Sequence, residues 1–304
     1  MKISIILTTY NRGETFLRES IQSVVNQTYK DWELIIFDNY STDNTDSVVN
    51  EFLMHNIKYI KLKNDGVIAK SRNAAIKIAT GEYIALIDSD DFWEPNKLEE
   101  SYKHLSQNKY DGFCHAENWL FDDGKKMIVK YGPEKKFLFE NLLVNGNCLS
   151  PSATIIKRNV LNKVGGYSED EEFITAEDYD LWLKISREGY KIIFSEKVLG
   201  WFRVHSDAES YDIIRNTNAA SNVIKSHFKN LSLGEKSLLK ALSNYWLIAG
   251  KTCQIRGKYY DSFKMYFKSV QIKFSLKACF LILSLLIPNI IFIFIYNLIK
   301  SRKK

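Results

Sequence analysis

Apolar residues along the first third of the chain follow two alternating rhythms. ISIILTTY (3–10) and YIALID (83–88) are nearly continuous apolar runs, the pattern of strands buried on both faces. WELIIFD (32–38) and IKYIKL (57–62) predict two further strands. Between them, ETFLRESIQSVVNQT (14–28) places Phe16, Leu17, Ile21, Val24 and Val25 at helical spacing. STDNTDSVVNEFLMH (41–55) opens with N-cap chemistry at Ser41 or Asp43, and GVIAKSRNAAIKIA (66–79) predicts a third helix. Strand–helix–strand alternation at this spacing predicts a mainly parallel sheet with helices on both faces. Such sheets bind ligands outside the carboxyl ends of their strands. Three of the strands end there in polar groups: Thr8-Thr9-Tyr10-Asn11, Asp38-Asn39 and Asp88-Ser89-Asp90-Asp91.

Beyond about residue 110 the rhythm is mixed. GFCHAENWLF and MIVKYG predict strands, and PSATIIKRNVLNKVGGY a strand, a helix and a Gly-Gly stop. TAEDYDLWLKISREGY (175–190) predicts an amphipathic helix opening on two acids, and KIIFSEKVLGWFRVH a strand. Residues 211–275 predict helices rich in Lys and Tyr. From Ala278 to Ile299 the chain carries no charge, long enough to span a bilayer as a helix. Pro288-Asn289 interrupts that run, so a re-entrant hairpin is the alternative, and a buried or oligomer-packing helix is a third use. The run has no polar face, which favours membrane association.

Charge sharpens this division. The net charge of +6 conceals an asymmetry: residues 211–304 hold 16 Lys/Arg against 3 Asp/Glu, leaving −7 for residues 1–210. The basic rear, joined to an uncharged run, points to an anionic membrane leaflet rather than nucleic acid. Three regions follow: 1–210, a basic helical region 211–275, and an apolar segment with a basic tail, 276–304. Four cysteines without metal-type spacing suit a reducing compartment. Placement on the cytoplasmic face of the membrane follows, with oligomerisation left open.

The acids of IDSDDFW (87–93) carry the first chemistry. Three carboxylates within four positions repel one another unless a cation joins them, and Mg²⁺ or Mn²⁺ takes one or two carboxylates together with substrate phosphates. A helix cap explains one Asp, not three. An EF-hand reading puts Phe92 on a ligand position and Trp93 where glycine is required, so it fails.

SIILTTYNR, LIIFDNYSTDNT, NDGVIAKSRNAAIKIATGEYIALIDSDDFW, TAEDYDLWLKI and WFRVH together resemble family 2 glycosyltransferases, in order and spacing, over about residues 1–210. The resemblance implies a GT-A fold, a Rossmann-like mixed sheet that binds nucleotide sugars, and a metal-dependent inverting transfer. It implies that Thr8, Tyr10 and Asp38 line the nucleoside pocket, with Asp38 on the base. The family's usual second aspartate there is Asn39 in this chain, which loosens the expectation of a UDP-sugar donor. Lys70 and Arg72 become diphosphate cations. Asp88 and Asp90 become ribose and metal contacts, with Asp91 a further metal or sugar contact. Asp178 becomes the base that takes the acceptor hydroxyl's proton, with Glu177 beside it. In WFRVH, Arg203 becomes a phosphate contact and His205 a metal or diphosphate contact. Acids in a first helical turn also serve the helix dipole, so the motif gives Glu177 and Asp178 two possible uses.

The expected activity is transfer of a sugar from a nucleoside diphosphate to a hydroxyl of a lipid-linked glycan acceptor, in surface-polysaccharide, lipopolysaccharide or glycoprotein glycan assembly. A sugar-nucleotide pyrophosphorylase would open with a glycine-rich loop, whereas TTYNRGETF holds one glycine. A non-catalytic nucleotide-sugar-binding membrane protein would not need the intact acids, and a processive synthase would carry several spans.

Overall fold

The computed structural model describes residues 1–285 except 54–55, 230 and 232–233. Its strands are β1 (Ile3–Thr9), β2 (Trp32–Asp38), β3 (Ile57–Lys61), β4 (Tyr83–Asp88), β5 (Phe92–Trp93), β6 (Gly112–Phe121), β7 (Lys126–Val129), β8 (Thr154–Lys157) and β9 (Ile192–Val204). Helices α1 (Leu17–Val25), α2 (Thr45–Asn50), α3 (Ile68–Ile78) and α4 (Lys97–Leu105) lie among the first six strands. Then come α5 (Glu134–Phe137), α6 (Phe139–Asn145), α7 (Arg158–Lys163) and α8 (Glu177–Arg187). The chain continues as α9 (Ile213–Lys229), α10 (Glu235–Ile255), α11 (Tyr259–Ile272) and α12 (Leu276–Ser284).

The strands form one mixed sheet in the order β3-β2-β1-β4-β8-β6-β9-β5, with β7 on β6. The first four are parallel. β8 runs antiparallel to both β4 and β6, which makes the sheet mixed. β1 and β2 are buried along their whole length, as their unbroken apolar runs require. After β1 the chain winds outward to β2 and β3, then returns to place β4 on the other side of β1. The crevice beyond the carboxyl ends of β1 and β4 is therefore the topological switch point, where open α/β sheets take their ligands. Register puts Thr8 opposite Asp88 and Thr9 opposite Asp38, so the polar strand ends stand in one row.

The helix expected over 41–55 is shorter. Asp43 accepts from the Thr45 amide at 3.0 Å and its hydroxyl at 2.6 Å, and from the Gly13 amide at 2.9 Å. Ser41, the other expected cap, instead donates its amide to Asp38 at 3.0 Å. Local side-chain bonds thus hold 41–44 as a loop, and the helix starts at Thr45.

The described residues form two compact units, 1–142 with 147–211, and 143–146 with 212 onward. The apolar segment expected to begin at 276 starts as α12, whose Ala278 and Leu281 pack with Leu247 and Tyr266 of the second unit. Among the described residues no helix is long and apolar enough to cross a membrane. Residues 286–304, with Pro288-Asn289 and the terminal Lys300, Arg302, Lys303 and Lys304, lie outside the described residues.

Candidate active site

The loops at the switch point are tied to one another. Asn11, at φ +50°, receives Ser41 on its own amide: the N–H donates to Ser41 Oγ at 2.8 Å, while Asn11 Oδ1 accepts from the Thr42 amide at 2.8 Å. Tyr40 and Asp65, at the ends of the next two strand loops, also have positive φ, as tight strand-to-helix turns demand. Thr8 is buried and Tyr10 is more than half exposed. Asp38 has no exposed surface, and its oxygens accept from the Ser41 amide at 3.0 Å and the Tyr59 hydroxyl at 2.9 Å. The direct base contact expected of Asp38 thus competes with internal bonds, and its place is as the brace of the β2–α2 loop. Lys70 lies on the rim, 3.8 Å from Asp65.

Arg72 is not placed as an open diphosphate cation. It is buried, with one end of its guanidinium 2.8 Å from Asp88 Oδ1 and the other 2.8 Å from Glu177 Oε1. Its plane lies 5.3 Å from the centre of the Tyr167 ring. One cation thus joins the end of β4 to the start of α8 and offsets two carboxylates in low dielectric. Burial and nearby Asp90 raise the Asp88 pKa against the pull of Arg72.

Asp178 is half-buried beside Glu177. Asn147 Nδ2 donates to Asp178 Oδ2 at 3.1 Å, and the Tyr179 amide donates to Oδ1 at 2.7 Å. Burial and the adjacent Glu177 push the Asp178 carboxyl up to about 7, with Arg72 opposing. Glu177 Oε2 is buried without a hydrogen-bond partner among the described residues. Thr175, two residues upstream, sits at φ +78°, a conformation that a β-branched residue rarely adopts and that marks a constrained entry to α8.

The remaining acids divide. Asp90 Oδ2 lies 3.0 Å from His205 Nε2. Asp91 turns inward: its two oxygens accept from Ser152 Oγ at 2.6 Å and from the Arg203 amide at 3.0 Å. Burial, with Asp90 and Glu117 nearby, pushes its carboxyl well above the usual range. Asp91 is therefore a strut between β4, the β8 approach and β9, not an open metal ligand. Arg203 is committed as well. Its guanidinium pairs with Glu19 and the Asp90 carbonyl, and lies 4.7 Å from the Phe16 ring centre and 4.5 Å from that of Phe92. The phosphate contact expected of it would require breaking that clamp.

No three His, Cys, Asp or Glu side chains converge as a ready-made cation cage among the described residues. What the fold brings together is one imidazole nitrogen and one carboxylate, Asp90 with His205, and Asp88 two positions earlier. That donor set fits Mn²⁺ or Mg²⁺ only as a shared site, completed by oxygens of a phosphate ligand.

A sheet of this topology, with an acidic crevice at its switch point and a helix bearing a second acid pair at its edge, defines a GT-A-type α/β enzyme. The chain matches glycosyl transferase family 2 over residues 4–165, more than half its length, and it belongs to that family. It is a glycosyltransferase. It is 31% identical over 231 residues to the UDP-Glc:alpha-D-GlcNAc-diphosphoundecaprenol beta-1,3-glucosyltransferase WfaP of Escherichia coli, covering 74% of this chain and 86% of that protein. The fold matches that of S. aureus TarS residues 1–349, solved with UDP-GlcNAc, at a TM-score of 0.65 and 20% identity over 90% of this chain and 81% of that one. It also matches mannosyltransferase PcManGT of Pyrobaculum calidifontis, solved with GDP-Man and Mn²⁺, at 0.63 and 18% over 93% and 79%.

Asn147, Ser152, Tyr167 and Glu19 were not foreseen as part of the site. Nothing in their local pattern marks them, because each acts through a partner far along the chain.

Proposed function

We propose that the protein transfers a sugar, with inversion, from a UDP-sugar to a hydroxyl of a lipid-linked glycan in surface-glycan assembly. The observation that carries this reading is the Arg72 bridge, which brings the Glu177–Asp178 pair beside Asp88 at the switch point. Thr8, Tyr10 and the loop braced by Asp38 form the nucleoside side, with Lys70 at the rim for a phosphate. A divalent cation held by Asp90 and His205, with Asp88 alongside, would supply Lewis-acid stabilisation of the departing diphosphate. Asp178 takes the acceptor hydroxyl's proton as that oxygen attacks the anomeric carbon, and the bond from that carbon to the diphosphate oxygen breaks. Its raised pKa makes it a better base than an exposed aspartate at neutral pH. Asn147 holds one of its oxygens, which fixes the direction from which the hydroxyl is received.

The name of WfaP, an enzyme of UDP-Glc and a diphosphoundecaprenol-linked sugar, supports the choice of donor and acceptor class. The basic composition of residues 211–304 supports work at an anionic leaflet, on the cytoplasmic side where nucleotide sugars are found. Incubation with a panel of UDP- and GDP-sugars, an undecaprenyl-diphosphate-linked sugar and either Mn²⁺ or EDTA tests this. Release of UDP with a lengthened lipid-linked glycan, in the metal-containing reactions alone, is the expected result. Turnover of GDP-sugars only, or full activity in EDTA, would overturn the donor or the metal assignment respectively.

A further inference from the structure

Helix α11 carries large apolar residues on its outward face as well as on its buried one. Its buried positions are Ser262, Met265, Tyr266 and Ser269, largely small or polar, while Tyr260, Phe263 and Phe267 are exposed. Beside the apolar clusters around Leu247, Tyr266 and Met265, small residues and hydrogen bonds join α10 to α11. Ser262 Oγ donates to the Gly250 carbonyl at 2.7 Å, Ser243 and Ser269 hydroxyls meet at 2.9 Å, and Tyr266 OH donates to Gln254 Oε1 at 2.8 Å. A Cβ on Gly250 would lie 2.4 Å from the Tyr266 ring, so α10 and α11 approach as closely as glycine allows. Close contact through glycine and serine, with hydroxyl glue inside and bulky apolar groups outside, is how helices pack where the surroundings are lipid.

The outward face has a specific composition. Phe263 and Phe267 stack one turn apart, with ring centres 6.0 Å from each other. Lys264 lies 4.2 Å over the Tyr260 ring. Phe274 is 70% exposed and Leu276 is 78% exposed, and they continue the apolar surface between α11 and α12. Residues 258–283 hold five lysines, at 258, 264, 268, 273 and 277, against the single acid Asp261. A contiguous exposed apolar patch rimmed by polar residues marks a protein or membrane interaction surface. Aromatic rings alternating with lysines match the boundary of an anionic bilayer, where rings sit at headgroup depth and lysine stems reach back to the phosphates.

We propose that the α11–α12 face, centred on Tyr260, Phe263, Lys264, Phe267 and Lys268, docks on an anionic phospholipid surface. The five named residues lie on α11 within the described second unit, ahead of the uncharged run, which begins inside α12 at Ala278. The inference deepens the proposed membrane-side function and rests on that reading for its biological sense, but the binding itself is separately measurable.

The test is sedimentation of the full chain with vesicles of phosphatidylcholine alone, or of phosphatidylcholine and phosphatidylglycerol in equal parts. Wild type, F263S/F267S and K264E/K268E are compared, with donor hydrolysis followed in parallel. F263S/F267S is expected to bind mixed vesicles about tenfold more weakly, K264E/K268E to lose the preference for phosphatidylglycerol, and both to hydrolyse donor at the wild-type rate. Affinities of both variants within about twofold of wild type would overturn the proposal. A wild-type dimer that ignores vesicles and that F263S/F267S dissociates would assign the face to a second copy and also overturn it. Failure of wild type to turn over any donor would strike the functional reading while leaving the docking result intact.

Discussion

As the proposed base, Asp178 must be unprotonated to accept a proton, and burial beside Glu177 pushes its pKa up to about 7. The base form is therefore lost as pH falls through that value, and kcat/KM should drop about tenfold per pH unit on the acid side. A profile flat between about pH 5 and 8 would remove Asp178 from the role. D178N should stop transfer while calorimetry shows donor binding unchanged. Asn147→Ala removes one hydrogen bond to that carboxylate and should lower kcat about tenfold with little change in donor KM. A variant that lowered stability alone would leave kcat per folded molecule intact. Arg72→Met leaves Glu177 and Asp88 facing each other without their cation, and should cost about 3 kcal/mol of unfolding free energy, measured in urea. The acids themselves were legible in the sequence, since like charges crowded behind an apolar strand require an explanation. Their partners were not. Arg72 meets Glu177 across 105 positions and Asn147 meets Asp178 across 31, and no periodicity records such pairings. Asp91 and Arg203 looked like ligands for the same reason: sequence shows charge but not the direction in which a side chain points.

Among the elements, the parallel strands were the most legible, because a strand covered on both faces can carry almost nothing polar. The exception within β2 is instructive. Glu33 is buried, yet it accepts from Ser4 Oγ and Thr80 Oγ1, both at 2.7 Å, and from Lys58 Nζ at 2.9 Å, tying β1, β2, β3 and the turn between α3 and β4 together. Those bonds outweigh burial and bring its carboxyl down to about 2. A depressed pKa means that the stabilisation is complete above the unfolded value of 4.5 and is lost as pH falls toward 2. The contribution is about 3 kcal/mol. Acid titration of urea midpoints should show that loss in wild type and a much flatter curve in Glu33→Gln; identical curves would assign the acid sensitivity elsewhere. α2 is shorter than its sequence pattern predicts because Asp43 and Ser41 satisfy loop amides ahead of it. The order β4-β8-β6-β9 was not legible either, since antiparallel insertion of β8 depends on which edges are free after the parallel half has formed.

For the whole molecule, an acidic first part of the chain and a basic second part accord with the proposal that one carries the chemistry and the other the placement at a membrane. The first unit carries the switch-point crevice and every candidate reacting group; the second carries the lysine-rich helices. The two-part charge pattern was visible at once, whereas the outward-facing aromatic rings of α11 were not. Their spacing alone fits a buried helix equally well, and only the buried serines on its other face distinguish the cases. In the proposed mechanism a single displacement with one base fixes the stereochemistry of the product. Proton NMR of the glycan formed from a UDP-α-linked hexose tests it most directly. A β-linked product from the wild-type enzyme, with none from D178N, is expected; an α-linked product would rule out that single displacement.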